Sequence, residues 1–216
     1  LDESYKRFPA PVLAAKLGEL AFRSGDYEKA IRGLAADPEP STAVLKGLAV
    51  AHGRLGDVEA MRAVWSDGRA AAIATKGARN MVEHPGRVEA FCRVMDLVTD
   101  ADRWPLVWHC SAGKDRAGWV GTALLMILGV ERDTVVAHYL ESNRGADARV
   151  AALVGSGFMT PEALELMRPF IEVMEAAVVA QMAAVDEHWG GAEAMFRNGF
   201  GFTDDRIADL RGRLLD

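Results

Sequence analysis

Between Ala117 and Val130 the chain runs for 14 residues without a charge, bounded by Arg116 and Glu131. The run is apolar apart from Thr122, and it is too short for the roughly 20 residues that span a bilayer. Such a segment is satisfied as a helix buried on all sides and closed by a C-terminal glycine, here Gly129, so the surrounding elements have to be packed around it. What precedes it is equally constraining. Trp104-Pro105-Leu106-Val107-Trp108-His109 is a short, apolar, β-prone run following a turn at Asp100 to Asp102, and it reads as a buried strand. Strand, Gly-containing polar loop and buried helix in that order predict a helix-dominated α/β fold with a small parallel sheet.

The other segments read as helices. From Pro11 to about Ala70 apolar residues recur at three and four, as in Leu13, Leu17, Leu20 and Ala21, then Val44, Leu45, Leu48 and Ala49. Asp37-Pro38-Glu39-Pro40 stops one helix, and Ser41 or Thr42 can cap the next. Two Gly-Asp turns, Gly25-Asp26 and Gly56-Asp57, lie 31 residues apart and predict a pair of helical hairpins. Helical spacing continues through Val88, Phe91, Cys92, Met95 and Val98, through Asp133 to Ser142, and through Pro161 to His188 with a bend or break near Pro169. Ala70 to Thr75 suits a strand or a helix equally well. These segments divide the chain into residues 1–80, a helical lid or docking region, and residues 81–216, the region carrying the chemistry.

Charge and cysteine content exclude several functions. The net charge is −6, with 12 basic against 10 acidic residues over positions 1–80 and 13 against 21 over positions 81–216. No basic stripe is present to release counterions from a nucleic acid, so no nucleic-acid partner is expected. Two cysteines cannot build the disulfide framework of a small secreted domain, and no basic, then apolar, leader opens the sequence, which together read as a reduced, cytoplasmic protein without a transmembrane segment. The chain opens on Leu1 rather than Met, which leaves room for residues upstream.

The loop between the expected strand and helix reads His109-Cys110-Ser111-Ala112-Gly113-Lys114-Asp115-Arg116-Ala117-Gly118. A cysteine and an arginine six positions apart, in a loop opening a helix, can surround a tetrahedral dianion. Successive backbone N–H groups turn inward, the helix N-terminus adds positive potential, and a guanidinium forks two oxygens. The same field stabilises a thiolate at the floor, and the thiolate is the nucleophilic form. A nucleotide-binding Gly-x4-Gly-Lys-Ser/Thr loop is excluded by Trp108 and Asp115. A zinc site is excluded by the scatter of Cys92, Cys110, His52, His84, His138 and His188, and no metal or other cofactor is expected. Cys92, on a helical apolar face, reads as a core cysteine rather than a disulfide partner of Cys110.

The string matches His-Cys-x5-Arg and resembles the loop of the bacterial dual-specificity tyrosine/lipid phosphatases, His-Cys-x-Ala-Gly-Lys-Asp-Arg-Thr-Gly. The resemblance continues through Gly129-Val130, Tyr139-Leu140-x-Ser142-Asn143, Trp189-Gly190, Phe196, Gly199 and Leu210-Arg211, covering residues 81–216. It implies phosphomonoester hydrolysis through a phosphocysteine, on phosphotyrosine protein or a small phosphoester. Cys110 would be the nucleophile and Arg116 the oxygen clamp. Ser111, Ala112, Gly113, Lys114 and Ala117 would line the substrate position, with His109 orienting the loop. Asp115, the carboxylate nearest in sequence, is expected as general acid, the alternative being a pairing with a neighbouring cation. Lys114 is expected as a second substrate cation or a solvated flank. The Ser-Gly-Asp-Tyr-Glu-Lys-Ala string, residues 24–30, and the hairpin spacing also resemble tetratricopeptide repeats, of period about 34 residues, though two hairpins are fewer than such a solenoid needs. A protein partner for these helices is the corresponding expectation.

Three departures from the phosphatase pattern stand out. Ala117 replaces a threonine whose hydroxyl would reach the thiolate, which predicts slow turnover, and His138 replaces the aspartate before Tyr-Leu. The family's upstream Arg-Asp-Leu-Gly-Gly and Asp-Leu-Arg strand segments do not precede the loop, Asp209-Leu210-Arg211 falling in the closing helix. The parallel sheet is therefore under-supplied, its strands either lying upstream of Leu1 or being replaced by the helical half. Together these departures keep open an alternative function, a phosphate-binding but catalytically weak interaction module.

Overall fold

The computed structural model describes residues 18–37, 42–65 and 68–215. They form two compact units, one of residues up to Ala70 together with Asp147–Ile171, the other of Ala71–Ala146 with Glu172 onward. The expected helix stop at Pro38 to Pro40, the Ser41 cap and the leucines at 13 and 17 lie outside the described residues.

In the first unit, helices α1 (Tyr27–Leu34), α2 (Thr42–Arg54) and α3 (Val58–Val64) follow one another. The two Gly-Asp turns have the same local solution. Gly25 and Gly56 take φ of 82° and 76°, where only glycine is unstrained. Asp26 and Asp57 then cap α1 and α3, their carboxylates accepting from the Lys29 and Ala60 N–H groups at 3.1 Å each. Helices α8 (Ala146–Gly155) and α9 (Pro161–Ile171) complete this unit, with Met61, Ala49, Met159, Ala163 and Leu164 buried between its elements. Arg54 ties it together by donating to the Phe158 carbonyl at 2.7 Å, its guanidinium stacked over the Phe158 ring.

The second unit contains α4 (Arg69–Glu83, most of its length), α5 (Pro85–Val98), α6 (Asp115–Ile127), α7 (Arg132–Leu140), α10 (Glu175–Ala184) and α11 (Asp204–Leu215). Ala70 to Thr75 thus belongs to a helix. The chain breaks between α9 and α10, just after Pro169, as the Pro161 to His188 pattern anticipates. Helix α6 is the buried one. Trp119, Val120, Ala123 and Ile127 sit in a core with Met81, Phe91, Met95, Val185 and Phe196, while its Leu125 and Met126 pack against a second cluster of Val135, Tyr139, Val173, Val178 and Met182. Gly129, at φ 78°, ends it, and the Arg211 guanidinium donates to the Ile127 carbonyl at 2.8 Å, where a cation complements the helix dipole.

The strand expected over Trp104–His109 does not form, and no strand occurs among the described residues. The segment is irregular and largely outside the core: Val107 is 89% exposed and Trp108 is 40% exposed. A strand requires a neighbour to pair its N–H and C=O groups, and none of the described elements supplies one. The segment is held by its tryptophans instead, Trp104 donating to the Val98 carbonyl at 3.0 Å and Trp108 to that of Ala117 at 3.1 Å. The helix-dominated part of the α/β expectation holds over the described residues, and the small parallel sheet is not found among them. Among those residues no helix is long and apolar enough to cross a membrane.

Candidate active site

The loop from His109 to Lys114 turns the exposed tryptophan segment into α6. Gly113 adopts φ 65°, a left-handed conformation that a side chain would strain, and Lys114 caps the helix with its main chain, its carbonyl accepting from the Gly118 N–H at 2.6 Å. This reversal aims several amides at one atom. Burial pushes the half-buried Cys110 thiol up, but backbone N–H groups of Ala117, Ala112, Lys114 and Arg116 hydrogen-bond the sulfur and together outweigh it, lowering its pKa to about 7. An anion at Sγ is stabilised by these donors and by the N-terminus of α6.

Arg116 is exposed, and its Nη2 donates to Ser111 Oγ at 2.5 Å, so the guanidinium lies across the loop that holds Cys110. Ser111, Ala112 and Gly113 are exposed, and Ala117 is half-buried. His109 is exposed with Nδ1 3.3 Å from the Cys110 carbonyl oxygen. Lys114 points elsewhere: it is 8% exposed, and Nζ lies 2.9 Å from the Asp115 carboxylate and donates to the Glu172 carbonyl at 3.1 Å. Asp115 keeps about half of its side-chain surface, 48%, in solvent. Loop backbone, thiol, guanidinium and carboxylate are thus brought together within one reversal of the chain. Cys92 stands apart on α5 as a free thiol donating to the Phe200 carbonyl at 3.2 Å.

Two residues that sequence reasoning did not assign to the site also belong to its surroundings. Tyr139 on α7 is 2% exposed, and its ring lies so close to Gly118 that a Cβ there would meet Cε2 at 2.7 Å. Burial first, then the charges of Asp115 and Cys110, push its phenol well above the ordinary range. Asn143 hydrogen-bonds both backbone groups of Val173, next to the Glu172 carbonyl that receives Lys114. Both residues fall within the Tyr139-Leu140-x-Ser142-Asn143 string, which was the available signal. No group of metal-ligating side chains occurs among the described residues.

The chain is similar to several known phosphatases. A protein of Cupriavidus necator named as a candidate tyrosine-protein phosphatase is 38% identical over 114 residues, covering 51% of this chain and 39% of that protein. The triple specificity protein phosphatase PtpB of Mycobacterium tuberculosis is 31% identical over 141 residues, 60% of this chain and 50% of PtpB. A tyrosine-protein phosphatase of Nostoc commune is 28% identical over 130 residues, 57% of this chain and 44% of the relative. The matches span about half the length, or less, of these relatives. A model of the tyrosine phosphatase family matches residues 22–216, nearly the whole sequence, and this chain belongs to that family.

Proposed function

We propose that this chain hydrolyses phosphomonoesters through a phosphocysteine, with phosphotyrosine in a protein as the leading substrate. The observation that carries the reading is the convergence of four backbone amides on Cys110 Sγ, which keeps a large fraction of the thiol ionised near neutral pH. The same loop geometry suits a phosphoryl group: the N–H groups of Ser111, Ala112, Gly113, Lys114 and Ala117 would donate to its oxygens, and the Arg116 fork would span two of them. In the first step the thiolate attacks phosphorus, the bond to the leaving oxygen breaks, and Asp115 supplies that oxygen with a proton. In the second, water attacks phosphorus and gives a proton to Asp115, the S–P bond breaks, and inorganic phosphate leaves with the thiolate restored. No metal takes part in this scheme. The PtpB relative's name points to a wider range of phosphoesters, which this chain would share if its loop accepts non-aromatic leaving groups.

The Ala117 methyl, where a threonine hydroxyl would face the thiolate, favours a second reading, a phosphate-binding module with slow turnover. One experiment separates the two. The wild-type chain and Cys110→Ser are assayed on p-nitrophenyl phosphate, with mass spectrometry of the quenched protein. Turnover lost by more than about a hundredfold in the Ser variant, together with a phosphate adduct on wild-type Cys110, supports hydrolysis. Phosphate binding without turnover in either protein supports the module. Equal turnover in both proteins removes Cys110 as nucleophile.

A further inference from the structure

Asn143 lies in the short turn Glu141–Gly145 that follows α7, and its side chain grips a segment 30 residues away in sequence. Its Oδ1 accepts from the Val173 N–H at 2.7 Å and its Nδ2 donates to the Val173 carbonyl at 3.0 Å. A primary amide is suited to this double contact, since it carries one acceptor and one donor side by side. Val173 is buried at 4% exposure, so the clamp holds the backbone at the start of the α9–α10 connection in one orientation. The preceding residue, Glu172, thereby presents its carbonyl to Lys114 Nζ at 3.1 Å. A lysine that is 8% exposed has to place its ammonium where its partners are, because an unpaired buried charge is costly. Those partners are this carbonyl and the Asp115 carboxylate at 2.9 Å. The main chain of the same lysine donates to Cys110 Sγ and starts α6 through the Gly118 bond.

We infer that Asn143 is a positioning residue for the Cys110 loop: by clamping Val173 it fixes the Glu172 carbonyl that seats Lys114, and through Lys114 it sets the Asp115 carboxylate and the turn carrying the loop amides. This rests on the phosphocysteine reading for its kinetic readout, while the thiol readout is independent of turnover. Lys114 thereby acts as an internal brace, and its ammonium is committed to the protein rather than to a second phosphate of the substrate.

A double-mutant cycle tests the route. Asn143→Ala, Lys114→Met and the double variant are compared with wild type for kcat/KM on p-nitrophenyl phosphate and for the pH midpoint of Cys110 alkylation by iodoacetate. Groups around the thiol that titrate or carry charge are Asp115, Arg116, Tyr139, Lys114 and His109, and the cycle removes only Lys114 from this set. With Lys114 present, Asn143→Ala is expected to lower kcat/KM by about tenfold and to raise the alkylation midpoint; with Met at position 114 the same change is expected to have less than about a twofold effect, the signature of residues acting through one another. Equal effects in both backgrounds, or no effect when Lys114 is present, overturn the inference. Should Asn143→Ala not fold, Asn143→Asp, which keeps an acceptor for the Val173 N–H but loses the donor, enters the same cycle with the same two outcomes. Absence of turnover in wild type would defeat the functional reading, and the alkylation midpoints would still decide the role of Asn143.

Discussion

Gly118→Ala is expected to destabilise the protein although it replaces a helical glycine. In the interior of a helix this change ordinarily stabilises by about 0.8–1 kcal/mol through helix propensity. Here a Cβ would stand 2.7 Å from Cε2 and 2.9 Å from Cδ2 of Tyr139, a ring that is 2% exposed and packed with Val135, Val173, Val178 and Met182. The ring cannot swing away, so α6 or α7 has to move, and overpacking of this kind costs about 1–3 kcal/mol. The clash wins or breaks even, for a net loss of about 0–2 kcal/mol. Thermal unfolding should therefore show no gain and a fall of up to about 2–4 °C per kcal/mol lost. In a Tyr139→Leu background, where the ring atoms are gone, the sign should reverse and Gly118→Ala should stabilise by about 0.5–1 kcal/mol. The displaced first turn also carries the Arg116 and Ala117 amides away from Cys110, so the alkylation midpoint should rise in the single variant and recover in the double. A single variant stabilised by the full helix-propensity gain would refute the packing argument.

Four further outcomes are expected. Iodoacetate inactivation should be half-maximal near pH 7, because burial opposes ionisation of Cys110 but the four amides prevail; since the folded value lies below that of an unfolded thiol, the thiolate's contribution to stability is present in full at alkaline pH and is lost as pH falls through about 7. Arg116→Lys should lower kcat/KM nearly as much as Arg116→Ala, because an ammonium cannot reproduce a planar fork on two oxygens, and near wild-type activity in the Lys variant would leave Arg116 a role as charge alone. Asp115→Asn should harm alkyl phosphates far more than p-nitrophenyl phosphate, whose leaving group departs without a proton; equal losses would reassign Asp115 to its ion pair with Lys114. Ala117→Thr should raise steady turnover by about tenfold to a hundredfold and shrink the phosphocysteine burst, as one added bond to a charged sulfur contributes about 1.5–3 kcal/mol, whereas an unchanged burst would show that the amides already satisfy the thiolate.

The features that followed from the sequence alone are those that depend on neighbouring residues. The uncharged run after Arg116 had to be a buried helix because no face of it could meet water, and Trp119 and Ile127 are 1% and 0% exposed. The two Gly-Asp turns repeat one local geometry because glycine and an aspartate cap define it without help from elsewhere. The loop from Cys110 to Arg116, proposed to hold the nucleophile and its arginine, was legible as an anion-stabilising turn because a loop that opens a helix collects its own amides on one atom. Tertiary structure decided the rest. Apolar, β-prone Trp104–His109 could announce a strand but not supply a partner for it, and without one its residues stay outside any sheet. Residues 147–171 group with those up to Ala70, a choice made by long-range packing that no periodicity encodes. Lys114 reads as a substrate cation beside its loop neighbours, yet its ammonium turns to a carbonyl 58 residues on, held there by an asparagine from a third segment. Period and composition determine which residues must be buried; which distant group a buried charge will meet is determined only when the chain has closed on itself.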